Sequence, residues 1–154
     1  MKIIISYPPI DRSKGVPLLS QNRQFQYFKA PTYIYPVVPA QAATLLKQAG
    51  HEVIWNDCLA QNWDYQQFLD FIKLEKPDLI AFETKTPVVK EHWKIINDIK
   101  GTVSAKANSK TDKGTVPVIV LFGDHVTALP EESFQNSQVD FVLKIGRASC
   151  RERV

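Results

Sequence analysis

The chain has 154 residues, enough for one domain with one buried core, and its 44% hydrophobic and 23% charged residues are typical of a globular protein. Its formal net charge is +3, of which the last eight residues supply +2 through three arginines and one glutamate. The rest of the chain is therefore close to neutral, which argues against nucleic acid as a partner.

The two cysteines, Cys58 and Cys150, are far apart and have no Cys or His neighbour at metal-ligand spacing. This pattern predicts neither a disulfide framework nor a zinc site, and it fits a reducing compartment. No segment has the order of a signal peptide or the roughly 20 apolar residues of a membrane-spanning helix. We therefore expect a soluble cytoplasmic protein with no membrane partner.

The last ten residues, 145–154, differ in character from the rest of the chain. They read IGRASCRERV and follow an apolar run without a turn. The decapeptide resembles the translation of a short-read sequencing adapter, although a natural basic tail is the alternative. We expect the domain to span residues 2–144 and the tail to be an artefact of truncation near Lys144.

Five short apolar runs are typical of buried strands. They are Lys2–Ser6, His51–Trp55, Leu79–Glu83, Val116–Phe122 and Asp140–Leu143. Each of them is mostly apolar, as expected for parallel strands that are buried on both faces.

Helical patterns separate these strands. We expect helices at Pro39–Ala49, which Gly50 would end, at Tyr65–Glu75, through His92–Ile99 and at Glu131–Gln135. Alternation of strand and helix predicts a parallel sheet with helices on both faces and right-handed crossovers.

Three other segments lack such patterns. Ile10–Pro36 contains prolines and aromatic residues without periodicity, and predicts a long structured loop of the kind that is often functional. Its aromatic residues, from Phe25 to Tyr35, would cap a ligand, contact a neighbouring domain or pack within the loop. Residues 101–115 are polar and predict a mobile surface insertion, and Gly123–Pro130 predicts a loop.

Five strands at this spacing fit a doubly wound α/β fold, flavodoxin-like or Rossmann-like, with a parallel sheet in the order 2-1-3-4-5. In such sheets ligands bind outside the carboxyl ends of the strands, at the switch point between strands 1 and 3. The loops that begin at Tyr7, Thr84 and Gly123 are therefore the expected binding loops.

A family resemblance is carried by five segments near the ends of these elements. They read ISYPP, PTYIYPVVPA, AGHEV, KPDLIAFETKTP and GDHVTALPEES. In this order they resemble the cobalamin-binding domain that precedes the catalytic barrel in cobalamin-dependent radical SAM proteins. That family commonly has Gly-Gly-Pro-His and a Thr-Ala-Leu-Pro-Glu-Glu-like stretch after strand 4. This chain matches it at Gly123, His125 and Thr127 to Glu132 and departs from it at Asp124.

The resemblance implies a domain that binds cobalamin at the carboxyl edge of the sheet and presents it to a C-terminal radical SAM domain. The parent protein would be a methyltransferase or another radical enzyme. The implied cofactor-binding residues are Tyr7, Pro8, Pro9, Thr84, Lys85, Thr86, Gly123, Asp124, His125, Thr127 and Ala128. Gly123 would let the backbone approach a large planar ligand.

The chemistry of such a parent would lie outside this chain. The sequence has no CxxxCxxC motif, so an iron–sulfur cluster and S-adenosylmethionine would be bound only by the missing part. We expect no catalytic residue and no metal ligand here. Domains like that of methionine synthase carry a cobalt-ligating histidine after strand 1, but here no histidine precedes His51.

Two residues have alternative interpretations. His125 either contacts the ligand or is a hydrogen-bonded structural residue. Glu83 ends an apolar strand, where a buried carboxylate needs a partner, so it either pairs with Lys85 or contacts the ligand.

The competing hypothesis is a flavodoxin-like ligand-binding or signalling domain without cobalamin. A phosphoacceptor domain needs an acidic cluster at the ends of strands 1 and 3, and Ser6-Tyr7-Pro8 supplies none at strand 1. A flavin mononucleotide site needs a phosphate loop rich in Ser, Thr or Gly, where this chain has Tyr7-Pro8-Pro9.

Overall fold

A computed structural model describes residues 1–17, 27–30, 35–106 and 116–144, with the backbone alone for 102–106. Strands and helices alternate along most of this length. In chain order they are β1 (Lys2–Tyr7), β2 (Val16–Pro17), β3 (Tyr27–Phe28), α1 (Val37–Gln48), β4 (Glu52–Asp57), α2 (Tyr65–Glu75), β5 (Leu79–Glu83), α3 (Val89–Lys106), β6 (Val118–Phe122), α4 (Asp124–Ala128), α5 (Pro130–Asn136) and β7 (Phe141–Leu143).

Five of the strands form one sheet in the order β4-β1-β5-β6-β7, and every neighbouring pair is parallel. Counted along the chain without the short β2 and β3, this is the order 2-1-3-4-5. The predicted doubly wound, flavodoxin-like α/β fold is therefore confirmed.

Local sequence explains most of the element bounds. Helix α2 begins where predicted because Asp64 and Gln67 form a capping box, and Lys76 ends it in the left-handed conformation. Helix α1 begins at Val37 rather than Pro39, since proline is tolerated in a first turn. Strand β6 begins only after Pro117, which has no N–H to donate to the sheet.

Two loop predictions were wrong in part. Helix α3 continues to Lys106, so the first six residues of the predicted insertion 101–115 are helical, and 107–115 lie outside the described residues. The predicted loop Gly123–Pro130 contains the single-turn helix α4, in which the amide and the hydroxyl of Thr127 both donate to the carbonyl of Gly123.

The long loop after β1 contains a short antiparallel pair that sequence patterns did not predict. Val16 pairs with Phe28. The preceding residue must be glycine for two reasons: Gly15 has a φ of +112°, and a Cβ there would lie 2.6 Å from the carbonyl oxygen of Phe28. Residues 18–26 and 31–34, with Phe25 and Tyr33 of the predicted aromatic cluster, lie outside the described part of the chain.

The main core lies on the face of the sheet that α2 and α3 cover. Alternate residues of the central strands point into it, as the two-residue period of a strand requires. The fully buried strand residues in this core are Ile4, Ile80, Phe82, Ile119 and Leu121, which pack with Phe68 of α2 and Ile96 of α3.

Candidate functional site

The switch point between β1 and β5 brings the three predicted binding loops together at the carboxyl edge of the sheet. We call residues Tyr7–Pro9, Thr84–Thr86 and Gly123–Ala128 the switch-point edge. The phenol of Tyr7 donates to the carboxylate of Glu83, and the amide of Thr84 donates to the carbonyl of Phe122 at 2.8 Å. These bonds link β1 to β5 and β5 to β6.

The loop after β1 forms a buried part of the switch-point edge. Tyr7, Pro8 and Pro9 are all buried, and the ring of Tyr7 packs edge-on against Trp55 with centroids 5.3 Å apart. Pro8 and Pro9, which were predicted to contact the ligand, are therefore buried residues that expose little surface at this edge.

Gly123 occupies the tightest point of the switch-point edge. Its φ is +120° and its ψ −173°, a conformation that only glycine adopts readily. A Cβ at this position would lie 2.2 Å from the carbonyl oxygen of Thr84. The close approach that requires glycine is thus to the backbone of Thr84, whereas the sequence predicted an approach to a ligand.

Three consecutive residues, Thr84 to Thr86, are each held by a side chain of α3 or α4. The pairs are Thr84 Oγ1 with His92 Nδ1 at 2.9 Å, Lys85 Nζ with Asp124 Oδ2 at 3.0 Å, and Thr86 Oγ1 with His125 Nδ1 at 3.2 Å. We call this set the threonine–lysine clamp. It fixes the segment after β5 by bonds to two different helices.

Both histidines of the clamp are buried. His92 is 0% exposed, and burial lowers its pKa from 6.5 to about 3. His125 is 2% exposed and packs edge-on against Trp93, and burial lowers its pKa against the opposing effect of the Glu132 carboxylate. His125 is thus a buried residue that bonds to Thr86, and its contact with a ligand stays a prediction.

The predicted ion pair of Glu83 with Lys85 is replaced by two other interactions. Lys85 bonds to Asp124 across the β5–β6 junction, and Glu83 accepts the hydrogen bond of Tyr7. Burial raises the pKa of Glu83, while the Tyr7 hydrogen bond and the charge of Lys85 oppose that rise. The carboxyl group at the end of β5 is therefore held by a phenol on the neighbouring strand.

We expect Glu83→Gln to remove a pH-dependent destabilisation of the fold. Because the folded-state pKa is raised above 4.5, the native state binds the proton more tightly, and stability falls as pH rises through the window from 4.5 to the folded pKa. The difference in unfolding free energy, variant minus wild type, should increase across this window in urea titrations. A free-energy difference that does not change with pH would contradict this prediction. The control is Glu131→Gln, at an exposed position of α5.

The outer surface of the switch-point edge is formed by its other members. Thr86, Asp124 and Ala128 are exposed, and Thr127 is half-buried. Exposed apolar side chains also occur at this end of the sheet. In the described part of the chain eight large hydrophobic residues are exposed, and five of these lie at the carboxyl edge by topology, namely Tyr35, Val37, Val38, Leu129 and Leu143. At the ligand-binding position of the fold, they offer apolar area that a ligand can cover.

Sequence reasoning did not assign His92 or Glu83 a definite place at this site. His92 lies eight residues after Thr84, near the start of the helix that follows the loop. This position in the sequence was the one feature that could have indicated a contact with Thr84.

The only cysteine among the described residues, Cys58, is fully buried, and burial raises its pKa to about 12, so its thiol is unreactive. Within the described ranges no three His, Cys, Asp or Glu side chains gather as a metal site.

A scan against protein-family models and searches of curated proteins and of solved structures found no match to this chain. In the part of the chain that the structure describes, no helix combines the length and the apolar character needed to cross a bilayer.

Proposed function

We propose that the chain is a cobalamin-binding module that presents the corrin to the radical SAM catalytic domain of a longer parent protein. The observation that carries the proposal is the switch-point edge: a parallel sheet in the order 2-1-3-4-5 gathers the three loops of the family resemblance at one place. Open α/β sheets bind ligands at this position.

The residues at the edge fit the chemistry of a corrin. A corrin has broad apolar faces and a periphery of amide groups, so it needs apolar contact area together with a few polar partners. Val38 and Leu129 are 63% and 47% exposed and supply apolar area. Thr86 and Asp124 are exposed and supply a hydroxyl and a carboxylate that can bind amide N–H groups.

The chain's own residues would hold the corrin without a histidine ligand to the cobalt. His92 and His125 are almost completely buried, and each uses its Nδ1 atom on a threonine of the clamp. Bound cobalamin supplies a cobalt centre that can carry a transferable group. The role of the domain is to bind and orient that cofactor beside a catalytic domain.

The first test is retention of cobalamin by the purified chain. We expect hydroxocobalamin to stay bound through a desalting column and to show a base-off-like visible spectrum, in which the nucleotide base has left the cobalt and no histidine replaces it. Loss of all corrin from chain that circular dichroism shows to be folded would contradict the proposal. The flavodoxin-like domain without cobalamin would then be the better interpretation.

A matched pair of variants on α1 tests the position of the site. Val38 and Leu45 are 63% and 65% exposed, but Val38 lies at the carboxyl edge and Leu45 lies two turns further along the helix. We expect Val38→Asp to weaken cobalamin binding by about tenfold, since a lost apolar side chain costs about 1.5 kcal/mol. Leu45→Asp should leave the affinity unchanged in the same calorimetric titration. Equal effects of the two changes would place the ligand elsewhere.

A further inference from the structure

A recess opens beside the switch-point edge, at the carboxyl ends of β1 and β4. Its volume is about 760 Å³, and three segments line it: residues 9–12 after β1, residues 62–65 and 67 around the start of α2, and residues 91, 94 and 95 in α3. Pro9 is the one residue that it shares with the switch-point edge. The recess has a size that is ordinary for a small-molecule site.

The three walls of the recess are joined to one another by side-chain bonds. These are the amide of Asp11 with the Glu91 carboxylate at 2.9 Å, the Arg12 guanidinium with the side-chain carbonyl of Asn62, and the Lys94 ammonium 5.6 Å from the centre of the Tyr65 ring. The recess is therefore formed before any ligand enters, and binding would cost little ordering of the walls.

The charged groups of the recess are used mainly within the protein. Asp11 accepts from the amide and the hydroxyl of Ser13, Asp64 caps α2, and Arg12 donates to backbone carbonyls. Three carboxylates and two cations line the recess in all. A strongly charged ligand would find no concentrated opposite charge there, so a neutral ligand is favoured.

Two amide side chains provide hydrogen-bond donors in the recess. The carbonyl oxygen of Asn62 accepts from Arg12, and that of Gln67 accepts from the amide of Asp64. No hydrogen bond to another described residue uses either NH2 group. Among the described residues, the hydrogen bond of Glu91 is through Oε2 to the amide of Asp11, so Oε1 is an acceptor for a ligand. The recess thus offers both donors and acceptors to hydroxyl groups.

Apolar side chains complete the lining. Ile10, Trp63 and Ile95 lie beside these polar groups. A sugar has the complementary chemistry, since it is uncharged, carries hydroxyls that both donate and accept, and has C–H faces that pack on apolar and aromatic surfaces. We propose that this recess binds a neutral saccharide, independently of cobalamin.

The test is a nuclear magnetic resonance titration of the ¹⁵N-labelled chain, without cobalamin, with D-glucose, D-galactose, D-mannose and maltose in turn. We expect at least one sugar to cause saturable shifts of the Asn62 and Gln67 NH2 signals and of the Trp63 indole N–H. Absence of saturable shifts with all four sugars in folded protein would overturn the proposal. Shifts at these signals with inorganic phosphate or spermidine, and with none of the sugars, would also overturn the proposal.

A neighbouring pair of variants separates the recess from a general effect of charge. Gln67→Glu keeps the carbonyl acceptor of the capping box but removes the NH2 donor. Gln66→Glu adds the same charge at an exposed position outside the recess. We expect only Gln67→Glu to weaken sugar binding, by about tenfold. Equal weakening by both changes would contradict a site in this recess.

Discussion

Gly123→Ala is expected to lower the free energy of unfolding by about 2 to 6 kcal/mol. Two causes act together. The backbone at this position has a φ of +120°, and the new Cβ would lie 2.2 Å from the carbonyl oxygen of Thr84. Backbone atoms cannot give way as the end of a flexible side chain can, so β5 and β6 must separate locally. Urea unfolding followed by circular dichroism measures the loss.

Two other glycines serve as controls for this result. Gly50 has a φ of +90° but open space around a Cβ, so Gly50→Ala isolates the cost of the backbone conformation. Gly101 lies within α3, also in open space, so Gly101→Ala should stabilise the protein by about 0.5 to 1 kcal/mol. If Gly123→Ala lowered the free energy of unfolding no more than Gly50→Ala does, the close approach to Thr84 would make no contribution to the loss of stability.

His92 is expected to make the protein sensitive to mild acid. Its pKa falls from 6.5 in the unfolded chain to about 3 in the fold because the ring is fully buried. Between these values the unfolded state binds the proton and the native state does not, so stability falls as pH decreases from 6.5 towards 3. The loss is on the order of 4 kcal/mol, since each unit of pKa corresponds to about 1.4 kcal/mol.

The variant His92→Gln should flatten the pH dependence of unfolding in this window. Glutamine does not titrate, and its amide can still bond to the hydroxyl of Thr84. The same change at His51, which is not buried, should leave the wild-type slope in place. Equal slopes for wild type and His92→Gln between pH 6.5 and pH 3 would show that His92 does not govern acid stability.

Local patterns in the sequence predicted the architecture well. Tyr65–Glu75 and Leu79–Glu83 have the predicted bounds, because a cap and an apolar run are properties of neighbouring residues. The order of the five strands also followed from alternation and handedness. Pairs of strands that depend on contacts between residues far apart in the sequence were harder to predict from local patterns. The β2–β3 pair depends on contact between Val16 and Phe28, twelve residues apart.

The site was predicted as a set of positions but not as a set of bonds. Sequence spacing brought Thr84, Gly123 and Tyr7 to one edge, as the structure has them. It offered an ion pair with Lys85 as one of two interpretations of Glu83, whereas Lys85 bonds to Asp124, which is close only because β5 lies beside β6. Helix α4 escaped prediction because five residues are too few to show a period.

The threonine–lysine clamp has a consequence for any molecule that binds at this edge. The hydroxyls of Thr84 and Thr86 and the ammonium of Lys85 already have partners within the protein. A ligand that replaces one of these bonds competes with His92, His125 or Asp124, and it gains only the difference between two similar bonds. Polar contacts there would select the orientation of a ligand, and its residence time would depend on the apolar area it covers.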